Sequence, residues 1–232
     1  MKKFKFYLTW MGLMMALVVM AKPAGEGTKE SPFLLATADD MSWFRTYVYD
    51  TDAKACAKLT ADIDLSSVGT WMGIGTETRP YQGVFDGDSH RIKGVNMNFA
   101  NVNQDNVGLF GCARYAVVKN LSVSGTAVVG LVSGGSIASG VSLLMGRGEG
   151  VTVSHVSVSG NIAGSGRYVG GVVGLLTHSP VIATSDEKNR SSIADCVSYA
   201  SVTGLDFVGG IAGDAYYAMP TLERCANRGQ VH

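Results

Sequence analysis

The chain has 232 residues, of which 46% are hydrophobic and 16% charged, and its formal net charge is zero. The high hydrophobic share excludes an intrinsically disordered chain, and the lack of a basic stripe argues against nucleic acid as a partner. The 30 glycines are nearly twice the usual share of about 7%. Because they follow no Gly-X-Y period, they predict short buried strands joined by tight turns rather than collagen.

The first residues have the pattern of a secretory signal peptide. Three lysines precede an apolar run from Trp10 to Ala21, and this order of basic and apolar segments is typical of an export signal. The run is shorter than the roughly 20 residues that a membrane-spanning helix needs. We therefore predict a signal peptide at 1–21 and no membrane span after its cleavage. An uncleaved N-terminal anchor is the alternative.

A helix is predicted near the start of the mature chain, after a polar segment at 22–32 that we interpret as a flexible leader. Thr37 is a candidate N-cap with an acidic residue three positions later. Apolar residues follow at helical spacing from Met41 to Val48. We expect a helix over about 38–49 that caps the N-terminal end of the fold.

Strands are predicted between this helix and the repeats that follow it. Apolar and polar residues alternate from Leu59 to Leu65, and similar patterns recur over 81–85 and 90–99. We group residues 33–107 as an N-terminal cap with lead-in strands.

Two sequence phrases recur through the second half of the chain. The copies of one phrase, which alternates apolar and polar residues, begin at Val118, Val153, Ile193 and Leu222. The copies of the other, which is rich in glycine, are Gly108–Gly111, Val141–Gly146, Val169–Gly174 and Val208–Gly213. A unit that cannot bury its own apolar face is stabilised by stacking on its neighbours.

Stacking of these phrases predicts an all-β fold, a right-handed parallel β-helix (solenoid) over 108–232 with the helix as its N-terminal cap. Glycine is expected to supply positive φ values and close backbone approach at the corners. A β-sandwich and a β-propeller are the alternatives, but neither explains why the same inward residues recur in register. The charged segment 177–190 is interpreted as a loop inserted into one repeat.

The last repeat begins at Leu222 and has no closing glycine phrase. We expect it to be incomplete, either because the chain is truncated or because a partner covers this end.

The four cysteines match no zinc pattern. Cys196 and Cys225 occupy the same slot in successive repeats, so their Cα atoms are expected about 4.8 Å apart. That distance permits a disulfide, and an export compartment permits one as well. Small buried thiols are the interpretation that we favour.

These phrases resemble the GLUG-motif family of bacterial secreted proteins. The segments that look like the family's namesake are Gly108-Leu-Phe-Gly111, Val169-Gly-Gly-Val-Val-Gly174 and Val208-Gly-Gly-Ile-Ala-Gly213. The segments that are similar to the usual lead-in are 59–65, 71–75 and 81–92. The resemblance covers about residues 33–232 and implies an exported β-helical surface or adhesin-like protein. Related repeats also occur beside the protease domain of IgA-cleaving metallopeptidases. The family assigns these repeats no catalytic residue, and we predict no cofactor.

Sequence motifs for common active sites are absent from the chain. It contains no His-Glu-x-x-His zinc motif, no Gly-x-Ser-x-Gly nucleophile elbow and no phosphate-binding loop. The best cluster is Asp86, Asp88 and His90, which is a weak candidate for a calcium or acid–base site. A solvated turn rich in aspartate is the favoured alternative. Asp62 and Asp64 are a weaker carboxylate pair, with a solvated strand face as the alternative.

Four aromatic residues are candidates for binding sugar rings, and packing inside the fold is the alternative for each of them. They are Trp71, Tyr81, Tyr216 and Tyr217.

The leading functional hypothesis is an exported, non-enzymatic β-helical surface protein, adhesin-like or a display scaffold. Its expected partners are host or bacterial surface glycans or proteins. The alternatives are a polysaccharide-active lyase or glycosidase on the same scaffold, and an accessory domain of a larger metallopeptidase.

Overall fold

The computed structural model describes residues 21–102, 104–130, 140–165, 168–177, 190–215 and 220–232. Within these residues the chain forms one α-helix and 18 β-strands, so the all-β prediction with a single short helix is confirmed. The elements are β1 (Phe33–Leu35), α1 (Ala38–Asp50), β2 (Ala57–Leu59), β3 (Ile63–Asp64), β4 (Val84–Asp86), β5 (Arg91–Phe99), β6 (Phe110–Arg114), β7 (Val117–Val129), β8 (Met145–Glu149), β9 (Thr152–Gly164), β10 (Val169–Gly170), β11 (Val173–Thr177), β12 (Ser192–Ala194), β13 (Val197–Ser198), β14 (Ser201–Thr203), β15 (Val208–Gly209), β16 (Ala212–Ala215), β17 (Thr221–Glu223) and β18 (Ala226–Asn227). Residues 1–20 of the predicted signal peptide and most of the predicted inserted loop lie outside the described residues.

Helix α1 begins with a capping box. The Thr37 hydroxyl accepts a hydrogen bond from the Asp40 N–H at 3.1 Å, and the Asp40 carboxylate accepts one from the Thr37 N–H at 3.0 Å. These reciprocal bonds satisfy backbone donors that the first turn of a helix leaves without partners. The predicted N-cap and the acidic residue beside it therefore have the roles that the sequence indicates.

One face of α1 closes the N-terminal end of the core. Met41, Phe44 and Val48 are buried, as their helical spacing predicts. The Phe44 ring packs at 6.0 Å from the ring of Tyr81 and at 6.1 Å from that of Phe85, measured between centroids. In the part of the chain that the structure describes, no helix has the length and apolar character needed to cross a membrane.

Residues 22–32 make hydrogen bonds with the first strands. The Ala24 carbonyl accepts the N–H of Leu34 at 2.8 Å, and the Gly27 carbonyl accepts the N–H of Cys56 at 2.7 Å. The segment therefore lies against the edge of the sheet at β1.

The largest sheet is built from parallel neighbours in the order β1-β2-β4-β7-β9-β12-β17. Its register places Phe85 opposite Val118, Val118 opposite Val153, Val153 opposite Ile193, and Ile193 opposite Leu222. The positions that the repeats share by sequence are therefore hydrogen-bonded neighbours in the structure.

The glycine phrases form further parallel ladders, one in the order β16-β11-β8-β6 and one that pairs β10 with β15. Val169 pairs with Val208, and Gly170 with Gly209. A Cβ atom on Gly170 would lie 1.9 Å from the carbonyl oxygen of Val173. Close backbone approach is therefore the reason for glycine at this position.

None of the glycines in these four phrases has a positive φ, although Gly150 at the corner between β8 and β9 does. Left-handed backbone also recurs at one polar position of the alternating phrase, which we call the left-handed slot. The residues in this slot are Asn120, His155, Asp195 and Arg224, with φ between 50° and 55°. Asn, Asp and His are enriched in this region of backbone space. The left-handed bend of the chain is therefore located at a polar position.

The last strands are less covered than the strands before them. Ile193 and Val202 are fully buried, whereas their partners Leu222 and Val231 are 46% and 42% exposed. Burial of an inward position therefore depends on whether another described strand lies on its far side.

Candidate functional site

The predicted cluster at Asp86, Asp88 and His90 does not converge on one point. Asp86 forms an ion pair with Lys119 at 3.0 Å, and Asp88 forms one with Lys58 at 3.0 Å. The N–H of Asp88 also donates to the Asp86 carboxylate at 2.9 Å, which is the aspartate turn given above as the favoured alternative. Among the described residues, no group of three or more His, Cys, Asp or Glu side chains is arranged to hold a metal ion.

The second carboxylate pair is also divided between different partners. Asp62 accepts a hydrogen bond from the Arg91 N–H at 3.0 Å and lies 3.2 Å from Nδ1 of His90. Asp64 accepts from both the hydroxyl and the N–H of Ser66 and forms an ion pair with Lys93 at 3.2 Å. Asp62 therefore joins its segment to the start of β5, whereas Asp64 stabilises the local turn at Ser66.

The pKa values of Asp64 and Asp86 are held low. Hydrogen bonds from Ser66, with help from Lys93, lower the pKa of Asp64 to about 2. Burial opposes the charge of Asp86, but hydrogen bonds from Asn120, the Asp88 N–H and Lys119 outweigh it, and its pKa lies below the usual range. These groups are therefore ionised at neutral pH and are poor proton donors.

The left-handed slot forms a polar column across four repeats. The guanidinium of Arg224 donates to the Asp195 carboxylate at 2.6 and 2.9 Å, and His155 lies 3.8 Å from the same carboxylate. Asn120 donates to Asp86 at 3.0 Å. Side-chain contacts therefore join His155, Asp195 and Arg224 across three repeats, and Asn120 joins β7 to β4.

A groove of about 350 Å³ runs across the outer face of the largest sheet. Its floor is an array of serines at alternating positions of β7 and β9. Ser122 pairs in register with Ser157, and Ser124 with Ser159. The Ser157 hydroxyl donates to that of Ser122 at 2.8 Å, and all four side chains are partly exposed.

Arginine and tyrosine side chains flank this serine groove. Arg91 pairs in register with Ser122 at one end. Tyr199, which is 50% exposed, lines the other end. The guanidinium of Arg228 lies 6.0 Å from the Tyr199 ring centroid. The groove therefore combines hydroxyl groups, an aromatic side chain and the Arg91 guanidinium, and Arg228 lies beside Tyr199.

A second cavity, of about 320 Å³, lies between α1 and the loop at 72–76. The exposed side chains of Tyr49 and Met72 form part of its wall. Arg45 also lines it and lies over the ring of Trp71, with its Cζ atom 5.6 Å from the ring centroid. This cleft under α1 is distinct from the serine groove.

The structure corrects two of the four predicted sugar-binding aromatics. Trp71 is 1% exposed and donates its indole N–H to the Leu109 carbonyl at 3.0 Å. Tyr81 is fully buried and donates its hydroxyl to the Ala55 carbonyl at 3.0 Å. Both residues pack inside the core with their polar atoms satisfied, so neither is a surface platform. Tyr216 and Tyr217 lie outside the described residues.

Two of the cysteines, Cys112 and Cys196, are unsuited to nucleophilic chemistry. Burial raises the pKa of the Cys112 and Cys196 thiols to about 12, and the thiolate is the reactive form. Cys196 and Cys225 directly precede residues that pair in register, Val197 and Ala226. Both carry free thiols in the structure, and their disulfide state stays a prediction.

Sequence reasoning missed the serine groove, although part of its signal is visible. Serines alternate with apolar residues in both 121–124 and 156–159, which predicts an outward hydroxyl row on each strand. Tyr199 and Arg228 come from later repeats, and only the strand register brings them to the same surface.

Comparisons with known proteins give partial matches. No protein-family model matches the chain. The chain is 35% identical over 105 residues to a protein of Evansella cellulosilytica named "Putative Gly-rich membrane protein", a match that covers 44% of this chain and 12% of that protein. It is 29% identical over 180 residues to "Halomucin" of Haloquadratum walsbyi, covering 72% of this chain and 2% of that protein. The chain thus spans a small share of both relatives.

A solved structure shares the fold over most of the chain. It is that of a "putative immunoglobulin A1 protease" from Bacteroides ovatus, with a TM-score of 0.63 and 25% sequence identity. The likeness covers 88% of this chain and 59% of the other. The arrangement of parallel strands described above therefore has a counterpart in a bacterial protein.

Proposed function

We propose that the chain is an exported, non-enzymatic surface protein, adhesin-like or a display scaffold, whose repeats stack as a right-handed parallel β-helix. The in-register parallel ladders on two sides of the core support the β-helical arrangement. The recurring glycine phrases, which resemble those of the GLUG-motif family, support membership of that family.

The observation that carries the non-enzymatic proposal is the state of the carboxylates on the exposed sheet. Asp64, Asp86 and Asp195 each bind a cationic side chain, and the pKa of each is lowered. A glycosidase needs one carboxylic acid whose pKa is raised so that it can protonate the leaving group. These aspartates have the environment of structural ion pairs.

The surface location is supported by the named relatives. The Evansella protein is named as a membrane protein and the Haloquadratum protein as a halomucin. The basic and apolar pattern of residues 1–21 is consistent with export. Both features favour a position outside the cytoplasm.

A second candidate function is an accessory domain of a larger protease. The likeness to the Bacteroides ovatus structure supports it, because that protein is named as a protease and this chain covers 59% of it. In this case the repeats would position a catalytic domain and would not cleave a substrate themselves.

The test combines location with activity. In cells that produce the chain, we expect external protease to degrade it while cytoplasmic marker proteins stay intact. The purified chain should release no products from a panel of polysaccharides and no fragments from immunoglobulin A. Protection inside intact cells would contradict the surface role, and polysaccharide cleavage that is lost in Asp86→Asn would establish the enzyme alternative.

A further inference from the structure

We propose that the serine groove binds an acidic oligosaccharide, with its sugar rings laid across the strands and its carboxylate or sulfate groups on Arg91 and Arg228. This inference rests on the proposed surface function and names a ligand class for it.

The floor of the groove supplies hydroxyl groups in a regular array. Neighbouring strands are about 4.8 Å apart and alternate residues of one strand about 6.7 Å apart. Ser122, Ser124, Ser157 and Ser159 therefore form a small rectangle of hydroxyls. Each hydroxyl can donate one hydrogen bond and accept two, which suits a ligand whose own groups are mostly hydroxyls.

The charges of the groove indicate an anionic ligand. Lys58, Lys119 and Arg224, elsewhere on the largest sheet, are each paired with a carboxylate. Arg91 and Arg228 form no ion pair with any of the described residues, although the positive charge of Arg91 contributes to the lowered pKa of Asp62. Neither guanidinium group therefore has a carboxylate partner among the described residues, although that of Arg228 lies over the Tyr199 ring. Guanidinium groups bind carboxylate and sulfate-like oxygens through two parallel hydrogen bonds.

The aromatic residue at the end of the groove is placed to contact a sugar ring. Tyr199 is half exposed although it follows a buried strand position, Ser198. The backbone on both sides of it is fixed, because the Tyr199 N–H donates to the Val158 carbonyl at 2.8 Å and the Arg228 N–H donates to the Ser198 carbonyl at 2.7 Å. An exposed aromatic ring on a rigid backbone provides contact area at a low cost in conformational entropy.

The dimensions of the groove favour a chain of sugars over a single ring. Arg91, Ser122, Ser157 and Val197 form one row across four adjacent strands, which spans about 14 Å at the usual strand spacing. Protein partners are a poorer match, since a stable protein interface has an apolar centre and the groove floor consists of hydroxyls.

Isothermal titration of the purified full chain tests the proposal. The ligands are a tetragalacturonate with carboxylates, a chondroitin sulfate tetrasaccharide with sulfates as well, neutral cellotetraose, and single-stranded DNA of the same total charge as the tetragalacturonate. We expect binding of one or both acidic oligosaccharides that weakens as salt is added, and binding of neither of the other two. The two acidic ligands distinguish carboxylate from sulfate recognition.

Variants locate the binding. Arg91→Gln and Arg228→Gln should each weaken the acidic ligand about tenfold or more, because each removes a charge-assisted hydrogen-bonding group. The matched control is Arg224→Gln, which removes the same charge from the neighbouring polar column and should leave affinity within about twofold. Tyr199→Ala should also weaken binding, with Tyr49→Ala on α1 as its control. Circular dichroism and the Tm of each variant verify that it is folded.

Several outcomes overturn the proposal: no binding of either acidic ligand at millimolar concentration, equal binding of cellotetraose or DNA, or equal effects of Arg224→Gln and Arg91→Gln. Failure of this inference is separable from failure of the proposed function. If the chain is accessible on cells but binds no acidic oligosaccharide, only the proposed ligand is contradicted. If the chain binds the ligand in solution but is protected from protease inside cells, the proposed surface role is contradicted instead.

Discussion

Inward-facing apolar residues are buried at one end of the parallel array and partly exposed at the other. At the first end, α1 covers the core, and Phe33, Phe44 and Phe85 are fully buried. At the last end, Leu222 and Val231 hold inward positions of the repeat but are nearly half exposed. Leu222 occupies the same register position as the buried Ile193, so coverage by a neighbour determines how much an inward residue contributes to stability.

The largest expected effect comes from breaking the covered end. Phe44→Ala should lower the free energy of unfolding by about 3–5 kcal/mol, because it removes a buried ring and leaves a cavity. Tyr49→Ala, on the exposed side of the same helix, should change it by about 0.5 kcal/mol or less. Urea unfolding followed by circular dichroism measures both. Similar losses for the two variants would mean that α1 does not seal the core.

The second prediction compares matched positions directly. Ile193→Ala should cost about 2–5 kcal/mol, as expected for a buried aliphatic residue. Leu222→Ala, in the next strand at the same slot, should cost about 1 kcal/mol or less, since nearly half of its side chain is already in water. Thermal unfolding of the two variants tests the comparison, and equal costs would show that Leu222 is covered in solution.

The third prediction concerns the helix cap. Thr37→Ala removes the hydroxyl that accepts the Asp40 N–H and should cost about 1 kcal/mol. Thr37→Ser keeps the hydroxyl and serves as the control. The prediction fails if Thr37→Ser is as unstable as Thr37→Ala, because the loss would then come from packing of the methyl group.

The smallest expected effect is on folding stability at acidic pH. The pKa of Asp86 is below its unfolded value of about 3.9, so its charge stabilises the fold fully above that pH. This contribution is lost as the pH falls through the lower, folded-state pKa. Asp86→Asn should therefore be less stable than the parent chain at neutral pH, with the difference shrinking as the pH falls below about 4.

Asp195 gives the matched comparison at the other end. It also has a lowered pKa, through Arg224, but it lies in an exposed ion pair, and exposed pairs contribute little to stability. Asp195→Asn should therefore reduce the dependence of folding stability on pH less than Asp86→Asn does. Urea midpoints across the acid range measure both, and a larger effect at Asp195 would contradict the ranking.

Much of the stack is predictable because its signals are local and repeated. The recurring inward positions from Val118 to Leu222 identify the register, since parallel stacking brings equal positions together. The spacing of Met41, Phe44 and Val48 identifies α1 because no tertiary contact is needed to detect it.

Other features depend on contacts between distant parts of the chain. Trp71 and Tyr81 belong to no repeat, so nothing in the local pattern shows that α1 and the neighbouring strands cover them. The left-handed bend at Asn120 and His155 looks in sequence like any other polar position. The serine rows are visible, but the flanking positions of Tyr199 and Arg228 follow from the three-dimensional register of later repeats.

The order of the largest sheet also determines how the molecule responds to mechanical tension. Strand β1 lies at one edge of this order and β17 at the other, and each intervening strand is hydrogen-bonded to the strands on its two sides. A force that pulls these two edges apart therefore acts on every strand pair of the sheet in turn. The pair whose inward side chains are least buried should separate first. Because Leu222 is far more exposed than Ile193, extension should start at β17 and advance strand by strand towards α1. A stack with this design should lengthen in steps under load while the end that α1 covers stays folded.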